Sequence, residues 1–154
     1  PNRALRFTGL TIEDEALVRS QPLFSGLEEA QLARLLASCD VLVHPGDCET
    51  FGLIVLEAMA CGAAVVATAT GGIPEVVVDG ETGRLVPIEQ VTDGTGTPLD
   101  PQKFVDDFAA ALTDVVSDPD RAHRMGQAGR TRAEEHFSWE SIAQQTLEVY
   151  RSVL

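Results

Sequence analysis

Two glutamates, Glu49 and Glu57, stand eight positions apart on either side of a Phe51-Gly52 step. A carboxylate in a loop can accept hydrogen bonds from sugar hydroxyls, and one set near two turns into a helix can accept a bidentate pair from a ribose cis-diol. The apolar run Val41-Leu42-Val43 before them reads as a buried strand, and Leu53 to Ala60 after them reads as a helix. A helix start presents unpaired backbone N–H groups and the positive end of its dipole, so phosphate oxygens can be held there without a side chain. Gly52 lacks a Cβ and so lets a ligand come close. On this reading Glu49 faces a sugar, the amides around Phe51, Gly52 and Leu53 hold sugar and phosphate, and Glu57 holds ribose, which outlines a nucleotide-sugar site. The same spacing also occurs in strand-loop-helix units whose glutamates are simply solvated, so spacing alone does not decide.

The elements that must position these residues come in α/β order. Leu5-Arg6-Phe7 is a short strand candidate, and Glu28 to Ser38 carries Leu32, Leu35 and Leu36 at helical spacing. Val41 to Val43 and Ala64 to Ala67 are short continuous apolar runs, the pattern of parallel strands covered on both faces. The helix between them stops at Gly62, and strand-helix-strand in that length implies a right-handed parallel crossover. Pro74 suits the first turn of a short helix after Gly71-Gly72, and turns at Asp79-Gly80 and Thr82-Gly83 flank a last strand, Arg84-Leu85-Val86. Ligands in such sheets sit beyond the carboxyl ends of the strands, where the Glu49 loop and the Gly71-Gly72 loop both lie. From Val86 to Pro101 the chain is rich in Gly, Thr and Pro and reads as an exposed loop. Helices are expected at Pro101 to Ser117, Pro119 to Glu135 and Ser138 to Val153. In the last, Trp139, Ile142, Ala143, Thr146, Val149, Tyr150 and Val153 make one apolar stripe, with Ser138 as N-cap.

Composition bounds the function classes. The 154 residues suit one domain, and 44% hydrophobic content is enough for a core. No apolar run reaches the length of a membrane span and no signal peptide precedes the first strand, so the expectation is a soluble, cytoplasmic protein. Cys39, Cys48 and Cys61 are odd in number and lack zinc spacing, which argues against a disulfide framework or a metal finger. Cys39 and Cys61 read as small buried residues and Cys48 as a loop thiol. A net charge of −13 and the single lysine, Lys103, argue against nucleic acid and anionic membranes as partners.

Other candidates are weaker. Asp118-Pro119-Asp120 has the Asp-x-Asp spacing of metal-dependent transferases of another fold, but it lies where an Asp caps a helix that begins with Pro. His44, at the end of a buried strand, could contact a ligand or satisfy backbone at the sheet edge. His123 and His136 give no catalytic signal, and Glu13-Asp14-Glu15 and Glu134-Glu135 read as solvated acidic faces.

The run His44-Pro45-Gly46-Asp47-Cys48-Glu49-Thr50-Phe51-Gly52-Leu53-Ile54-Val55-Leu56-Glu57-Ala58-Met59-Ala60-Cys61-Gly62, followed by Ala64 to Thr68 and Gly71-Gly72-Ile73-Pro74-Glu75, closely resembles the donor-binding half of retaining glycosyltransferases with two Rossmann domains, the GT-B fold. The resemblance is to the group that includes bacterial glycogen synthases, and it covers roughly Ala37 to Leu154. The stretch from Val86-Pro87-Ile88-Glu89 through Gly94 to Asp100, and on to His136-Phe137-Ser138-Trp139, is most similar to actinobacterial enzymes that use ADP-glucose.

The resemblance implies an α/β, Rossmann-like parallel sheet with flanking helices, the C-terminal half of a GT-B fold, spanning 37–154 after an atypical segment at 1–36. It implies a retaining hexosyltransferase with a nucleotide-sugar co-substrate, ADP-glucose or otherwise a UDP- or GDP-sugar, a glycan acceptor, an N-terminal acceptor-binding Rossmann domain as partner, and no cofactor or obligatory metal. Glu49 is its candidate catalytic residue. Phe51, Gly52, Leu53, Glu57, Gly71 and Gly72 are its candidate nucleotide-sugar-binding residues. The terminal helix would cross back to the partner domain, or else pack on the sheet edge. The departures are equally concrete. Family members contact the diphosphate with an Arg and a Lys, yet no Lys or Arg occurs between Arg34 and Arg84. Gln21-Pro22-Leu23-Phe24-Ser25-Gly26-Leu27-Glu28-Glu29 looks instead like the entry helix of cyclic-nucleotide-binding domains, without the β-roll and Arg loop such domains need, so 1–36 reads as a replacement or a fragment junction. An isolated chain of this kind is expected to be a catalytically incomplete binding or interaction domain.

Overall fold

Ala64 to Thr68 is buried at every position, which only a strand covered on both faces can achieve. A computed structural model of the chain, which describes residues 7–9 and 29–153, shows how that cover is built. The elements run β1 (Phe7–Gly9), α1 (Glu29–Leu36), β2 (Val41–His44), α2 (Leu53–Ala60), β3 (Ala64–Thr68), α3 (Ile73–Val76), β4 (Gly83–Val86), α4 (Pro101–Val116), α5 (Pro119–His136) and α6 (Trp139–Ser152). The four strands form one parallel sheet in the order β1-β2-β3-β4.

The register sorts the side chains. Val41 pairs with Ala64 and Leu42 with Val65, so residues two apart fall on the same face. Leu42, Val65 and Ala67 join Leu36 of α1, Ile54, Val55, Ala58 and Met59 of α2, and Ile73 and Val76 of α3 in one cluster. Val41, Ala64, Val66 and Val86 join Phe108, Ala111 and Val115 of α4 and Ala122 and Met125 of α5 in the other. Met59 and Val65 are wholly buried, and each contributes roughly 1.5–3 kcal/mol by leaving water. Because β1 pairs with β2, the sheet draws on chain from both sides of residue 37.

The helix ends follow the local chemistry. Asp100 accepts from Lys103 N–H at 2.9 Å ahead of Pro101, and Asp118 accepts from Arg121 N–H at 3.0 Å ahead of Pro119. Asp118-Pro119-Asp120 is thus a helix junction. Ser138 caps α6 through Ser141 N–H. The expected helices are present to within a residue or two at each end, as are the three later strands. Of the first strand candidate, Phe7 lies in a strand that continues to Gly9. Leu5 and Arg6 lie outside the described residues, as does the 21–28 portion of the segment that looks like an entry helix.

Two expectations need correction. The α6 stripe does not pack on the sheet edge. No residue of α6 is buried, and Trp139 and Tyr150 are 88% and 64% exposed. The stretch after β4 is more ordered than a bare loop. Val91 N–H bonds Thr97 O, Leu99 N–H bonds Glu89 O, and Gly94 and Gly96 take left-handed φ values of 80° and 75°, which closes a small hairpin. Among the described residues no helix is long and apolar enough to cross a membrane.

α5 approaches the amino end of β3 so closely that a Cβ on Gly126 would lie 2.1 Å from the Gly62 carbonyl oxygen. Helix and turn must part to admit a methyl group, so Gly126→Ala is expected to cost about 3 kcal/mol, the upper range for overpacking. Urea unfolding measures this directly, and a loss below about 0.5 kcal/mol would mean that the two backbones are not held together.

Candidate functional site

The site is built from two loops at the carboxyl ends of β2 and β3. β2 ends in His44, which is fully buried, and the loop folds back over its ring because a Cβ on Gly46 would meet His44 Cε1 at 2.7 Å. Three residues on, Glu49 turns its carboxylate to the start of α2. Its Oε1 accepts from Phe51 N–H at 3.2 Å and Gly52 N–H at 3.0 Å, and its Oε2 lies 3.7 Å from His44 Nε2. The side chain is only 12% exposed. The positive end of the α2 dipole favours a carboxylate here, and neighbouring N–H groups set its orientation.

Gly52 begins α2 in the left-handed conformation, φ 89°, and the first intrahelical bond runs from Leu56 N–H to Gly52 O. The N–H groups of Leu53, Ile54 and Val55 precede that ladder and point toward the loop side of the helix. The geometry therefore differs from the expected cradle. The Phe51 and Gly52 amides are engaged by Glu49, so a phosphate at this helix start meets Leu53 onward or displaces the carboxylate. Phe51 stands edge-on to Phe137, centroids 6.3 Å apart, and the Arg132 guanidinium lies 5.6 Å from the Phe137 ring centre. Arg132 also donates to the Glu75 and Val76 carbonyls at the end of α3, which ties α5 to the second loop.

That second loop is pressed onto the first. Gly71 has φ 51°, and a Cβ there would lie 1.4 Å from Glu49 O; a Cβ on Gly72 would lie 2.8 Å from Thr50 O. Thr70 Oγ1 donates to Asp47 O at 3.2 Å. The structure thus brings Glu49, Phe51, Gly52, Gly71 and Gly72 into one assembly. The two loop glycines are required by a backbone that lies against them, where the sequence suggests a ligand wall. Glu57 belongs to α2 itself. It is exposed one turn beyond Leu53, on the open face of α2. Of the cysteines, Cys39 is buried as expected and Cys48 is exposed, whereas Cys61 is only half-buried. Burial, and next the Glu57 carboxylate, push the Cys61 thiol up from its ordinary value. At the end of β2, His44 Nε2 faces the Glu49 carboxylate, a side-chain neighbour that the sequence does not suggest. Sequence reasoning missed Gln90, whose amide reaches Asp47 O across 43 positions; nothing local in the sequence signals that bond.

The family profile described as "Glycosyl transferases group 1" matches residues 11–132. The chain belongs to that family. The group 1 relatives include the α-maltose-1-phosphate synthase of Mycolicibacterium smegmatis, 46% identical over 80% of this chain and 30% of that protein. Among solved structures, sucrose-phosphate synthase from Thermosynechococcus elongatus superposes with a TM-score of 0.65 at 36% identity over 82% of this chain and 28% of that one. Anabaena HepE in complex with UDP-glucose superposes with a TM-score of 0.54 at 28% identity, over 77% and 29% of the two chains. The chain thus spans about a third of the relatives it matches, and its α/β, Rossmann-like parallel sheet with flanking helices is that of GT-B group 1 glycosyl transferases.

Proposed function

We propose that the chain is the donor-binding part, residues 37–154, of a retaining hexosyltransferase that moves glucose from ADP-glucose to an α-glucan. The observation that carries this is the Glu49 carboxylate, oriented at the start of α2, at the carboxyl edge of the sheet and backed by Gly71-Gly72. A carboxylate held this rigidly can fix sugar hydroxyls in one orientation, which is how positioning lowers a transfer barrier. The amides of Leu53, Ile54 and Val55, with the α2 dipole, would stabilise the departing diphosphate as its charge develops. Glu57 would accept from the ribose diol. A UDP-sugar donor is the second reading, favoured by the UDP-glucose held in HepE.

The two glutamates should respond differently. Glu57→Ala is expected to weaken nucleotide-sugar binding in the intact enzyme by about 1–3 kcal/mol, the loss of a charge-assisted pair, with Glu57→Gln milder. Calorimetry with ADP, ADP-glucose, UDP and UDP-glucose reads this out and selects the base. Unchanged affinity in the Ala variant for all four would remove Glu57 from the site.

Glu49→Ala should act chiefly on turnover, because a group facing the transferred sugar can act in the transition state as well as the ground state. Assays of glucose transfer alongside binding check it. Equal weakening of free nucleotide and nucleotide-sugar, with turnover intact, would place Glu49 away from the sugar.

A further inference from the structure

Gln90 lies in the hairpin after β4, 41 residues beyond Glu49 in the chain, yet its side chain reaches back to the loops around the site. Its Nε2 donates to Asp47 O and, at 2.8 Å, to Gly96 O. Asp47 O also accepts from Thr70 Oγ1 at 3.2 Å, so one carbonyl, two residues before Glu49, is where three loops meet. The hairpin backbone bears on the same residue: a Cβ on Gly96 would stand 3.0 Å from Asp47 Oδ2. α2, by contrast, is anchored in the core through Ile54, Val55, Ala58 and Met59.

From this arrangement we infer that Gln90 is a positioning residue, a latch by which the 87–99 hairpin sets the backbone that aims Glu49. The inference rests on the donor-site reading above and deepens it. It makes the hairpin responsible for the sugar end of the donor and leaves the nucleoside end, on α2, independent of it. The chemistry also dictates which side chains can replace glutamine. Two carbonyl oxygens converge on one amide nitrogen, so only a donor fits there. Methionine has the length without the donor, and glutamate presents an acceptor where two acceptors already point.

The test uses the 154-residue chain with Gln90→Met and Gln90→Glu. Amide hydrogen exchange at Phe51 and Gly52, whose N–H groups are held by Glu49, should quicken about tenfold in Gln90→Met and further in Gln90→Glu, the scale set by losing one net hydrogen bond. Exchange within α2, at Ala58 to Cys61, should stay at the wild-type rate, which also shows that the fold is intact. In titrations with UDP, UDP-glucose, ADP and ADP-glucose, the variants should bind the free nucleotides as wild type does and lose most of whatever the glucose adds. Unaltered exchange at Phe51 and Gly52 in both variants would overturn the latch. So would loss of protection spreading through α2, or free-nucleotide affinity falling as far as that for the nucleotide-sugar. A wild-type chain that binds none of the four ligands would defeat the donor-site reading instead, and the exchange data would still judge the latch.

Discussion

Gly71→Ala is expected to cost about 3 kcal/mol of stability and to dismantle the loop that carries Glu49. Two separable penalties combine. The left-handed backbone, φ 51°, costs a residue with a Cβ about 1–2 kcal/mol wherever it occurs. The close approach adds an overpacking term of about 1–3 kcal/mol, since the new methyl would fall 1.4 Å from the Glu49 carbonyl oxygen and a backbone atom cannot swing aside. Gly94 separates the two. It has φ 80° with nothing within 4 Å of where a methyl would stand, so Gly94→Ala should show the conformational penalty alone, about 1 kcal/mol. Urea unfolding of both variants measures the difference. Equal losses would mean that the Gly71 loop and the Glu49 loop do not touch.

The second large effect concerns the chain by itself. Residues 1–154 alone should bind a nucleotide-sugar weakly and transfer no detectable glucose. A diphosphate approaching a chain of net charge −13 meets no Lys or Arg between Arg34 and Arg84. It is left with helix-start amides and a dipole contribution of 0.3 to about 2 kcal/mol. Among the described residues, Arg84 is engaged with Asp79 and Asp114, and Arg132 with the Glu75 and Val76 carbonyls. On the donor-half reading the acceptor wall lies outside these residues, so the orientation that makes transfer effectively intramolecular is not supplied by them. Calorimetry with ADP-glucose across a salt series, and a transfer assay on glycogen, are the measurements. Submicromolar affinity, or turnover equal to that of a two-domain relative, would show that these residues already hold a complete site.

How much of this is legible in the sequence depends on whether the cause is local. α2 can be placed at both ends because its limits are backbone events, glycines at φ 89° and 82° flanking an apolar run. The buried strands are legible because runs of Val and Ala without alternation have few other uses. The use made of Glu49 is not, since its position suggests a carboxylate aimed outward and amides aimed at a ligand, while in the structure each satisfies the other. Gly71 and Gly72 stand out as positions that need no side chain, but a sequence does not say whether ligand or backbone fills the space. The amphipathic pattern of α6 shows that one face is apolar, not what lies against it. Gln90 is beyond reach because its partner is distant in sequence and is a carbonyl, which every residue has.

One helix ties the two halves of the interior to a common fate. α5 sends Ala122 and Met125 into the cluster on one side of the sheet and Ala133 into the cluster on the other, and between them Gly126 lies against the turn that feeds β3. Neither side can melt without pulling on the rod that the other side grips. The two hydrophobic layers therefore form a single cooperative unit, which opens as a whole instead of one layer at a time.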